Sequence, residues 1–160
     1  MEIRRDSETF QRVFDIWAYL RNKEQPHNRF EKPKSQKGPI YICVDTSGSM
    51  EGEPEVIAKT LALAIVIVAQ RDCRLVCMIN YSHNLSFFIL TNLRRQRQKF
   101  LSFLSHSYSG GNDENRLFDF IFKKMPDNSR YRQFTNSFTG ADILVVSYFE
   151  WSYLSDKTRN

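Results

Sequence analysis

Apolar residues in this chain follow two rhythms. Unbroken runs occur at Ile40 to Val44, Leu75 to Ile79 and Ile143 to Val146. Elsewhere apolar positions recur every three or four residues. A short unbroken run suits a strand covered on both faces, and the longer spacing suits a helix with an apolar stripe. The pattern predicts strands over Ile40–Asp45, Cys73–Asn80, Leu85–Leu90 and Ala141–Phe149. The third follows a turn at Tyr81–Asn84 and reads as an edge hairpin partner. Helices are predicted over residues 7–20, 54–70, 92–104 and 114–124. Pro54 fits a first helical turn, where its missing N–H is unneeded. Leu61 to Ala69 is apolar on every side, so that helix is expected to be largely buried. Strands alternating with helices predict an α/β fold, Rossmann-like, with a mainly parallel sheet flanked by helices.

The same pattern divides the chain. Residues 1–21 form an amphipathic helical segment, with Phe10, Val13, Phe14, Trp17 and Leu20 on one stripe. Residues 22–38 are a polar linker carrying Pro26 and Pro33. Residues 39–160 form the main domain. It is expected to be incomplete, truncated at its C-terminus, since few residues remain after the last strand.

Composition narrows the class. At 41% hydrophobic and 26% charged, the 160-residue chain has enough apolar surface for one core. The net charge of +5 permits an acidic partner without specifying nucleic acid. Cys43, Cys73 and Cys77 all lie in apolar runs. They read as free core thiols in a reducing cytoplasm, not as a disulfide or zinc set. Met1–Asp6 has no apolar region behind its basic pair, unlike a secretory signal. The longest apolar run, Leu61 to Ala69, is well short of the ~20 residues that a membrane span needs.

The chemistry concentrates at Asp45-Thr46-Ser47-Gly48-Ser49-Met50, at the end of the first strand. Ligands of open α/β sheets bind at this edge. Asp45, Ser47 and Ser49 offer one carboxylate and two hydroxyls at alternate positions, with Gly48 allowing a tight turn. Oxygen donors of this kind suit a hard cation such as Mg²⁺, with Mn²⁺ as a substitute, rather than zinc. The alternative is that these residues only cap and turn the chain.

These six residues resemble the metal-ion-dependent adhesion site of von Willebrand factor A domains. The resemblance extends to Pro39–Val44 before them, the Ala- and Leu-rich helix behind them, Gly110-Gly111-Asn112-Asp113, and Ala141–Ser147. It is nearest to the intracellular branch of ViaA-like and CoxE-like proteins, which work with MoxR-type AAA+ ATPases. The resemblance implies metal ligands at Asp45, Ser47 and Ser49. It places a second-loop contribution at Asn112, where the family has threonine, with Asp113 beside it. The family's third loop has Ser-Asp, whereas this chain has Ser147-Tyr148, and a tyrosine carries no charge at neutral pH. The implied function is a non-catalytic interaction module that binds Mg²⁺ weakly and serves as adaptor to a MoxR-type AAA+ ATPase. The alternative is a self-associating structural protein with a degenerate metal loop.

Enzyme chemistry has little support. Phosphoryl transfer of the Asp-x-Asp-x-Thr type needs a carboxylate where Ser47 stands. The glycines near Gly110 do not form a P-loop. Ser47 and Ser49 have neither a base partner nor a nucleophile elbow. Of His27, His83 and His106, only His106 falls near a suspected loop.

Overall fold

The computed structural model describes Asp15, residues 37–125 and residues 140–148. The expectations placed on the rest of the N-terminal helix, on the linker before Lys37, and on residues 126–139 and 149–160 lie outside these described residues.

Among the described residues the sheet has four strands, in the order β3-β2-β1-β4. β1 (Ile40–Asp45) is buried along its whole length, as its unbroken apolar run requires. It pairs in parallel with β2 (Val76–Tyr81) on one side and with β4 (Asp142–Val146) on the other. β3 (Leu85–Leu90) runs antiparallel to β2 at the edge. The sheet is therefore mixed and mostly parallel. The chain leaves β1 toward β2 but returns on the opposite flank as β4. That reversal falls at the carboxyl ends of β1 and β4, the edge where open α/β sheets bind ligands.

Helices cover both faces. α1 (Glu53–Arg71) and α2 (Leu93–Leu104) bury Ala58, Ala62, Leu63, Val66, Phe100 and Leu104 against Ile40, Ile42, Val44, Val76 and Met78. On the other face Tyr41, Cys43, Cys77, Ile79 and Tyr81 lie under Leu117, Ile121 and Met125. Those three come from α3 (Glu114–Asp119), the π-helical turn Phe120–Lys124 and the residue after it. None of the described helices is long and apolar enough to cross a membrane.

Several expectations need correction. The second strand begins at Val76, not Cys73, and includes Tyr81. Cys73 has φ 55°, a left-handed conformation that ends α1, and it is half-buried rather than a core thiol. Arg74 follows, its guanidinium donating to Gly38 O at 2.8 Å and Pro39 O at 3.2 Å and pairing with Asp142 at 2.6 Å. This clamp fixes the amino ends of three strands. Second, α1 is not buried all round, because Ile57, Leu61 and Val68 face outward. Third, the helix expected over residues 114–124 changes to π pitch at Phe120. Fourth, the last strand ends at Val146, so Ser147 and Tyr148 lie in the loop beyond it.

Candidate metal centre

The register of the sheet sets Tyr81 beside Asp45 at the carboxyl edge, with Ser147 one residue past the Val44–Val146 pair. The three side chains fall on the face that α3 covers, since strand side chains alternate. Asp45 is 1% exposed. Its Oδ1 accepts the Ser47 N–H at 2.9 Å, closing a tight turn. Its Oδ2 accepts the Ser147 hydroxyl at 2.7 Å. Among the described residues no Lys, Arg or His pairs with this carboxylate. Two hydrogen bonds offset part of the desolvation cost of a buried charge, and a bound cation would offset more.

Ser47 Oγ and Ser49 Oγ lie 3.0 Å apart, so the two hydroxyls converge on one spot. The short 3₁₀ turn Gly48–Met50 produces that convergence. Thr46 faces away from it, with N–H and Oγ1 both directed to the Tyr81 carbonyl at 2.9 and 3.2 Å. The second loop reaches the first through Gly48 N–H donating to Gly110 O at 2.8 Å. Gly110 has φ 112°, a conformation that glycine adopts without steric cost.

Asn112 is half-buried on this second loop. Asp113 serves as N-cap of α3, its Oδ1 accepting the Arg116 N–H at 2.9 Å. One of its oxygens thus has a structural task. The structure therefore brings Asp45, Ser47 and Ser49 together and joins their loop to the second loop at Gly110. Among the described residues no three His, Cys, Asp or Glu side chains converge. The donor set is instead one carboxylate with hydroxyls, which suits a hard oxygen-seeking cation.

Several residues of the rim were not singled out from the sequence. Glu114, at the start of α3, is almost fully buried. Burial pushes the Tyr81 phenol well above its ordinary range, and the charge of Asp45 adds to that. The Ser147 hydroxyl works the other way, while Glu114 raises it further. Two buried carboxylates therefore act on one phenol at the sheet edge. His83, rather than His106, touches the glycine pair: a Cβ on Gly111 would stand 3.0 Å from its Nε2. Arg116 holds the His83 carbonyl and so fastens the β2–β3 turn to α3.

Behind the rim, Lys59 on α1 pairs with Glu55 at 2.5 Å and donates to His106 O at 3.0 Å and Ser107 Oγ at 3.1 Å. Ser107 in turn donates to Glu55. Asn80 on β2 donates to His106 O at 3.3 Å and Phe103 O at 3.2 Å. These bonds set where the second loop leaves α2. A buried Glu and Lys four residues apart inside an apolar helix are the sequence signal for this network.

A cavity of ≈ 250 Å³ lies at the opposite end of the sheet, lined by Gln70, Cys73, Arg74, Leu93 and neighbours. Helix N–H groups beside it are already taken, Leu93 N by Gln70 and Arg95 N by Asn92. It has no part in the rim. No family model matches the chain.

Proposed function

We propose that this chain is a non-catalytic interaction module of the von Willebrand factor A type. Its sheet edge would take a divalent cation, Mg²⁺ or Mn²⁺, and offer it to an acidic group on a protein partner. Asp45, Ser47 and Ser49 hold the ion in this reading, with Asn112 and Asp113 contributing from the second loop. When bound, the ion supplies positive charge that a partner's carboxylate completes. The residues of the chain then have three tasks. Asp45 gives the charge, Ser47 and Ser49 give neutral oxygens, and Ser147 orients Asp45 through its 2.7 Å bond.

The observation that carries this reading is a buried carboxylate with no cationic side chain paired to it among the described residues, beside two converging hydroxyls. Affinity should be weak, because Tyr148 stands where the family has a third-loop aspartate. The resemblance points to a MoxR-type AAA+ ATPase as the partner, in the cytoplasm. Titration calorimetry with Mg²⁺ or Mn²⁺, with and without such an ATPase, tests it against Asp45→Ala. Metal-dependent heat and complex formation, both lost in the variant, are expected. Absence of both from the unaltered chain overturns the reading.

A second reading has an observation of its own. Both oxygens of Asp45 already accept hydrogen bonds, and Asp113 already caps a helix. That arrangement would let the loops keep their shape without an ion, as a degenerate site in a self-associating protein. In that case the metal titration is flat and the oligomeric state does not respond to Asp45→Ala.

A further inference from the structure

α1 and α2 lie side by side and antiparallel on one face of the sheet. Gln70 meets Leu93 at one end, and Lys59 meets His106 at the other. The outward faces of the two helices differ in kind. On α1 the outward positions are Ile57, Leu61, Ala64 and Val68, spaced by four, three and four residues. Ile57 is 60% exposed, Leu61 48% and Val68 56%. A row of this spacing runs about 16 Å along a helix. On α2 the outward positions include Arg94, Arg95 and Lys99, all exposed. None of these three has an ion pair among the described residues. The antiparallel arrangement sets the two arginines level with Val68.

An apolar row on the outside of a helix gains nothing for folding, since the opposite face of α1 already fills the core. Its basic neighbour fixes the charge that a covering element must carry. On α2 one basic side chain already holds a carboxylate, that of Asp15 from this chain's own N-terminal segment, at 2.8 Å from Arg97 Nη2. We infer that the outer face of α1 and α2 is a docking surface for an amphipathic helix of a partner protein, one with an apolar stripe and an acidic flank. The apolar stripe lies on Ile57, Leu61, Ala64 and Val68, and the acidic flank lies over Arg94, Arg95 and Lys99. This surface is separate from the sheet edge and does not depend on a cation there.

Fluorescence anisotropy on the full chain tests this with three labelled 18-residue peptides. One carries Leu at helical spacing with Glu along one flank. The second has Lys in place of Glu, and the third is a scramble of the first. The first should bind at least tenfold tighter than either other. Leu61→Asp and the pair Arg94→Glu/Arg95→Glu should each weaken it at least tenfold, with the circular dichroism melt unchanged because all three side chains are exposed. Equal binding of the three peptides, or no effect of either variant, overturns the inference. So does a dimer in sedimentation that Leu61→Asp dissolves, since a second copy would then own the face. Binding that appears only in Phe14→Ser/Trp17→Ser also overturns it, because the N-terminal segment of this chain would then be the occupant.

Discussion

Replacing Lys59 by Met removes the cation from the most enclosed ion pair among the described residues. The Lys59 side chain is 4% exposed and the Glu55 side chain 11%. The ammonium makes three contacts, to Glu55, His106 O and Ser107 Oγ. After the change Glu55 keeps only the Ser107 hydroxyl of this group, while His106 O keeps Asn80. Removing one member of a buried pair costs about 3–5 kcal/mol, because the remaining charge loses its partner. The surviving Ser107 and Asn80 bonds place this case near the lower end, about 3 kcal/mol. For a domain of this size that is a fall in Tm of about 10 °C. Urea titrations followed by circular dichroism measure the loss, with the slope m checked for constancy. The double variant Glu55→Leu/Lys59→Met removes both charges and should return to within about 1 kcal/mol of the unaltered chain. A loss under about 1 kcal/mol in the single variant, or a double variant no better than the single, would refute the reasoning.

Other outcomes follow from the same structure. Burial pushes the Cys43 and Cys77 thiols far up, so a thiol reagent at pH 8 should modify Cys73 in the folded chain and reach the other two only on unfolding. A thiol whose pKa is raised in the folded state holds its proton more tightly there. Stability is therefore full below the free thiol's ~8.5 and falls above it by about 1.4 kcal/mol per pH unit per thiol. Urea midpoints at pH 7 to 10 should show this decline, and Cys43→Ala/Cys77→Ala should flatten it. A Cβ on Gly38 would run into the Gly140 carbonyl, so Gly38→Ala should cost about 1–3 kcal/mol in urea unfolding. Gly111→Ala meets only the exposed, movable ring of His83 and should cost less than about 1 kcal/mol. Arg74→Lys should lower the midpoint nearly as far as Arg74→Met, because one ammonium cannot span Gly38 O, Pro39 O and Asp142 together.

The central strand was readable because burial on both faces forces an unbroken apolar run, and Ile40–Val44 has one. The edge position of β3 was readable for the complementary reason: its hairpin follows β2 directly, and its residues are mostly half-buried. The start of β2 was not, since Cys73 and Leu75 look like strand residues. A left-handed Cys73 and the contacts of Arg74 override that propensity. α1 misled through composition. Leu61 to Ala69 is apolar all round, yet Leu61 and Val68 stay exposed on the side turned away from the sheet. At the rim, Asp45, Ser47 and Ser49 were readable because three residues of one short loop must lie together. Ser147 was named only through the family resemblance, while Tyr81 and Glu114 depend on sheet register and on the position of α3, which local spacing does not carry. His83 reaches the glycine pair only because β2 and β3 form a hairpin ending at the same edge.

The most direct test is a Mn²⁺ titration of the isolated chain and of Asp45→Ala, followed by the water-proton relaxation of the bound ion. One saturable site, displaced by Mg²⁺ and absent from the variant, is the predicted result. A titration in which the variant binds as the unaltered chain does, or in which neither binds, contradicts a cation held at the carboxyl edge of β1.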